Sequence, residues 1–143
     1  MFWKRKPRFG DEEKLKFIDA VAGMLELQVV FAFDCSMEDG HGKINRKAIG
    51  YIYGFTDAAL RSIGQDMSDP SLGVPITYQI IRHLFPGSEE KYTQFLVQNV
   101  GSDDEIMVGA MRGGQQYVDF TKLGAKGSPM GLARYLLGSD DVK

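Results

Sequence analysis

The stretch MVGAMRGGQQYVDF, Met107 to Phe120, admits two readings that lead to different folds. A β-hairpin turning at Gly113-Gly114 fits the rule that paired glycines between apolar runs mark tight turns. A helix advances about 100° per residue. It places Ile106, Gly109, Ala110, Gly113, Tyr117, Phe120 and Gly124 on one face, with Arg112, Gln115, Asp119 and Lys122 opposite. Small and apolar residues thus separate cleanly from charged and amide ones, as on an amphipathic helix. We read the stretch as helix. Its start falls after Ser102, with Glu105 three residues on in the arrangement of a capping box. With this segment helical, no part of the chain reads as strand, and the fold class is all-α.

The run NRKAIGYIYGFTDAALRSIG, Asn45 to Gly64, is apolar nearly all the way round when wound as a helix. Tyr51, Phe55, Ala48, Ala59, Ile52, Ile63, Ile49, Leu60 and Tyr53 cover most of its circumference. The remaining stripe holds Gly50, Gly54, Asp57 and Arg61. A glycine inside a helix costs roughly 1 kcal/mol relative to alanine. Two on one stripe therefore imply that another backbone or a ligand comes close. Asn45 is the expected N-cap and Gly64 the expected stop.

Further helices follow from spacing and end signals. The first opens at Asp11, with Asp11, Glu12 and Glu13 suited to the positive end of the helix dipole. Leu15, Ile18, Val21, Ala22, Leu25 and Val29 carry it to about Phe33. A third is expected from Pro75 to Leu84 and a fourth from Ser88 to Gly101. A short last one is expected from Ser128-Pro129 to about Leu137. The organisation is a basic-aromatic arm over 1–10, a single domain of about six helices in an orthogonal or irregular bundle over 11–138, and a polar tail over 139–143.

Two of these helices carry stripes of small residues, Gly50/Gly54 and Gly109/Ala110/Gly113. Small stripes allow axes to approach closer than the usual 8–10 Å. The simplest reading packs the two helices on each other within one molecule. A sharper one places a stripe in a homodimer interface, or along a ligand groove.

A chain of 143 residues is long enough for a hydrophobic core without disulfides or metals. The single cysteine, Cys35, excludes an internal disulfide framework and suits a reducing cytoplasm. The net charge of −2 hides an asymmetry: Lys4, Arg5, Lys6 and Arg8 give the first nine residues +4 and leave −6 for the remainder. An acidic body argues against a nucleic-acid surface. No apolar h-region follows the basic start and no run approaches the ~20 apolar residues of a membrane span. Phe2, Trp3 and Phe9 among these cations suit an anionic membrane surface, although a solvated arm is the simpler expectation.

No catalytic motif emerges. The glycines open no Walker loop, no serine sits in a nucleophile elbow, and one Cys with two His gives no zinc spacing. Aligned on a calcium loop, Asp34 to Asn45 puts Met37 and Ala48 where Asp and a bidentate Glu are needed. A looser divalent site would draw on Asp34, Glu38, Asp39 and His41. His83 reads as a helix-end cation, and Cys35, between Asp34 and Ser36, lacks the cationic neighbour that favours a thiolate. Tyr51 and Tyr53 point to different sides of their helix, so at least one hydroxyl should reach solvent or a partner. The aromatic set as a whole reads as core.

The functional expectation is a small cytoplasmic interaction or regulatory module, with itself or another protein as partner. Gly109, Gly113 and Tyr117 are its candidate interaction residues; no cofactor and no metal are expected. The alternative is a helical enzyme or small-ligand sensor with a pocket along Gly50, Gly54, Asp57 and Arg61. There Asp57 would act as general base or ligand contact, its simplest other role being an ion pair with Arg61.

Overall fold

A computed structural model describes residues 9–31, 37, 38 and 41–123. They form five helices: α1 (Asp11–Phe31), α2 (Arg46–Ser62), α3 (Pro70–Leu84), α4 (Glu89–Asn99) and α5 (Asp104–Leu123). The all-α class holds. The only strand-like feature among the described residues is an isolated antiparallel bridge between Glu38 and Ile44. The expected short last helix lies outside the described residues, as does most of the arm.

Met107 to Phe120 lies wholly within α5, so the hairpin reading is excluded. The cap differs from expectation by one residue. Asp103, not Ser102, accepts a hydrogen bond from the Ile106 N–H (3.1 Å), while the Ser102 hydroxyl turns back to the Asn99 carbonyl (3.2 Å). At α2 the Asn45 side chain accepts from the Ala48 N–H at 3.1 Å, as an N-cap should. Gly64 follows with φ +78°, a left-handed turn that stops the helix.

α3 begins five residues earlier than expected. Asp69 caps it by accepting from the Ser71 N–H (3.0 Å), Pro70 takes the first position, and Pro75 lies inside the helix. Pro75 carries no N–H for the Ser71 carbonyl, so one ladder bond is missing there. Gly73 sits where an added Cβ would fall 2.5 Å from the Met67 carbonyl oxygen, so the preceding loop folds tightly onto this first turn.

α2 is the central element, in contact with α1, α4 and α5, while α3 bridges α1 and α4. Ten of its residues are buried. One cluster gathers Val21, Leu25, Tyr51, Phe55, Leu60 and Ile80; a second gathers Ile49, Ile81, Tyr92, Leu96 and Ile106. α1 contributes Val21, Ala22, Leu25 and Gln28 to the interior, but Leu15, expected on its inner face, is 63% exposed. The Tyr51 hydroxyl is buried and donates to Gln28 Oε1 at 2.5 Å, so its partner is another core side chain.

Candidate functional site

The two glycine stripes meet in one place. A Cβ added at Gly50 would lie 2.2 Å from the Ile106 carbonyl oxygen, and one at Gly54 would lie 1.8 Å from that of Ala110. From the other side, Cβ atoms at Gly109 and Gly113 would lie 2.5 and 2.0 Å from the carbonyl oxygens of Lys47 and Tyr51. Partners advance together along both helices, so α2 and α5 run parallel with backbones in direct contact. Carbonyls facing glycine Cα hydrogens recur at close helix crossings as weak Cα–H···O contacts. Below the crossing the Phe55 and Tyr117 rings meet edge to face at 5.3 Å, and the Tyr117 and Ser62 hydroxyls share a hydrogen bond of 3.0 Å.

This geometry relocates several expected site residues. Gly50 and Gly54 face the backbone of α5, which fills the space a ligand along that stripe would need. Gly109, Gly113 and Tyr117 face α2 of the same chain. Asp57 and Arg61 continue the stripe beyond the crossing and pair at 3.2 Å, with the guanidinium 70% exposed. An exposed i,i+4 pair of this kind is worth a few tenths of a kcal/mol. Asp57 accordingly acts as a surface partner that also pushes the neighbouring Tyr53 hydroxyl up, after the larger effect of burial.

Elsewhere, side chains fasten the loops to the helices. Glu38 accepts from the Tyr92 hydroxyl (2.6 Å) and from Lys91 Nζ (2.8 Å), tying the segment before α2 to α4. Burial, with the Glu38 carboxylate second, pushes the Tyr92 phenol up to about 12. Arg46 pairs with Asp103 at 2.7 Å while its guanidinium lies over the Phe95 ring. The Ile106 N–H, and then Arg46, hold the Asp103 carboxyl below the usual carboxylate range. His83 faces Glu26 across α1 and α3 at 3.4 Å. Of the loose divalent set, Asp34 and Asp39 lie outside the described residues, and no metal-holding cluster occurs among the residues described. No helix among them is long and apolar enough to cross a membrane.

Two surface features remain. Sequence reasoning missed both, because each depends on which helices become neighbours. On α5 the face turned away from α2 exposes Met107 (38%), Val108 (50%) and Met111 (74%). Between α2, α3 and α4 lies a cleft of about 250 Å³, lined by Tyr53, Met67, Val74, Thr77, Thr93 and Val97 among others. Its lining is mostly apolar, and the polar members are hydroxyls. No family model matches this chain, and no curated protein or solved structure is significantly similar to it.

Proposed function

We propose that this chain is a small helical interaction module, working in the cytoplasm, that self-associates through the outer face of α5. The observation that carries the reading is the position of α5. It packs closely on α2 along one face, yet it leaves Met107, Val108 and Met111 exposed within its first two turns. Methionine-rich patches adapt readily to a facing surface, and contiguous apolar surface on a small protein marks contact sites.

A second copy is the occupant that the charges favour. Asp104 and Glu105 precede the apolar patch and Arg112 follows it. An antiparallel two-fold pairing of α5 would stack Val108 on the second copy's Met111 and bring the acidic start of each helix toward the other's Arg112. Such an isologous contact closes on itself. The single cysteine supports a reducing compartment.

The test is cross-linking with a short bismaleimide in a Cys35→Ser background. Met111→Cys should give a covalent dimer in high yield, while Glu12→Cys, on α1, should not. Equal yields from the two positions, or no dimer from either, would refute the proposal.

A further inference from the structure

We infer that Met111 is an oxidation site through which peroxide releases the self-association of α5, so that the contact is redox-controlled; this inference rests on the self-association proposed above. Met111 is 74% exposed on the face of α5 turned away from α2. It is the most exposed of the large hydrophobic residues described.

The other described methionines are placed differently. Met67 is buried within the first core cluster, and Met24 and Met37 pack against that cluster from its edge. Met107 lies one turn before Met111 and is half as exposed, and its sulfur accepts a hydrogen bond from the Gly101 N–H at 3.3 Å. That bond engages one of the two lone pairs of the thioether. No hydrogen bond holds the Met111 sulfur among the described residues, so both of its lone pairs face a reagent arriving from solvent.

The oxidant is hydrogen peroxide. A sulfur lone pair attacks one peroxide oxygen, the S–O bond forms as the O–O bond breaks, and hydroxide departs. The hydroxide removes the proton left on the transferred oxygen and becomes water. Sulfur is thereby oxidised by two electrons to the sulfoxide and the peroxide is reduced by the same two. Sulfoxide reductases reverse the change.

The product no longer suits the contact. A flexible apolar end becomes a polar one with an acceptor oxygen. In the antiparallel pairing Met111 stacks on the second copy's Val108, whose side chain offers no donor. Burying an oxygen without a donor weakens association about fivefold or more, and two-fold symmetry counts the loss twice. Dimer dissociation should therefore rise about 30-fold. The dimer covers the sulfur, so peroxide reaches it in the free chain, and each oxidised chain is withdrawn from the pairing by mass action.

The experiment treats the full chain, carrying Cys35→Ser, with hydrogen peroxide until Met111 is converted. Peptide mass spectrometry reads the site and light scattering the solution mass, and Met111→Leu receives the same dose. Met111 should be oxidised first, and more slowly as chain concentration rises, while Met24 on α1 shows no such dependence. The mass should fall toward that of one chain and recover after treatment with methionine sulfoxide reductases. Met111→Leu, apolar and resistant to peroxide, should dimerise and keep its mass. A dimer that keeps its mass with Met111 fully oxidised, or a Met111→Leu dimer that dissociates at the same dose, would overturn this inference and leave the self-association standing. A chain already monomeric before peroxide is added would overturn both.

Discussion

Replacing Gly54 with alanine isolates the backbone crossing of α2 and α5, because helix propensity and packing then push in opposite directions. Alanine is favoured over glycine in a helix interior by about 1 kcal/mol. Against this, the new methyl would fall 1.8 Å from the Ala110 carbonyl oxygen, about 1.6 Å short of ordinary contact near 3.4 Å. That oxygen is main chain, so no side chain can swing away. α5 must move outward, and gaps of 0.5–1 Å already forfeit a quarter to a half of each dispersion contact. The Phe55–Tyr117 and Ser62–Tyr117 contacts lie on the same interface and loosen with it.

Overpacking a core costs about 1–3 kcal/mol where side chains can adjust. With backbone on both sides, a net loss of about 2–4 kcal/mol is expected for Gly54→Ala after the propensity gain. Two glycines serve as controls. Gly23 in α1 has nothing within 4 Å of an added Cβ, and at Gly114 the nearest atoms would be at 3.5 and 3.8 Å. Gly23→Ala should therefore stabilise by about 0.5–1 kcal/mol, and Gly114→Ala should be neutral or mildly stabilising. In thermal unfolding by circular dichroism, Gly54→Ala should lower Tm by about 10 °C and Gly23→Ala should raise it by a few degrees. A gain in stability for Gly54→Ala would refute the crossing.

Three further predictions concern the side-chain fastenings and the cleft. The Tyr92 phenol is raised to about 12 in the folded chain, against about 10 unfolded. Its contribution is thus fully present below pH 10 and is lost as pH rises toward 12; urea titrations should show that slope in wild type and a shallower one in Tyr92→Phe. Asp103→Ala should lower Tm more than Asp103→Asn, since asparagine keeps the cap on Ile106 and loses only the pairing with Arg46. The Asp103 carboxyl is depressed, so its stabilisation is present above the usual aspartate range and fades as pH falls through the folded value, which an acid melt of wild type against Asp103→Asn should reveal. Thr93→Val, which removes a buried hydroxyl without a partner, should raise stability by about 1 kcal/mol; a loss of similar size would show that the hydroxyl is bonded in solution.

Much of this fold is written in local sequence. Asn45 and Gly64 bracket α2, and the four-residue spacings of Gly50/Gly54 and Gly109/Gly113 point to a close approach. They do not say to what, because a stripe looks the same whether its partner is in the same chain or another. Pro75 misplaced the start of α3, since a proline at the first helical position and one in the second turn carry the same local signal. The Asp69-Pro70 pair, a cap followed by proline, was the true opening. Leu15 keeps helical spacing with the buried residues of α1, but burial depends on whether a neighbouring helix extends that far. The cleft was illegible for a similar reason. Tyr53, Thr77 and Thr93 come from three helices, and nothing in any one segment marks its hydroxyl as unusual.

The most direct test of the account is the solution mass by light scattering, for wild type and for Met111→Glu. Self-association through the outer face of α5 predicts that wild type approaches twice the 15.9 kDa chain mass as concentration rises. Met111→Glu should stay at the chain mass with an unchanged circular dichroism spectrum. A wild type that remains at the chain mass, or a dimer indifferent to Met111→Glu, would contradict it.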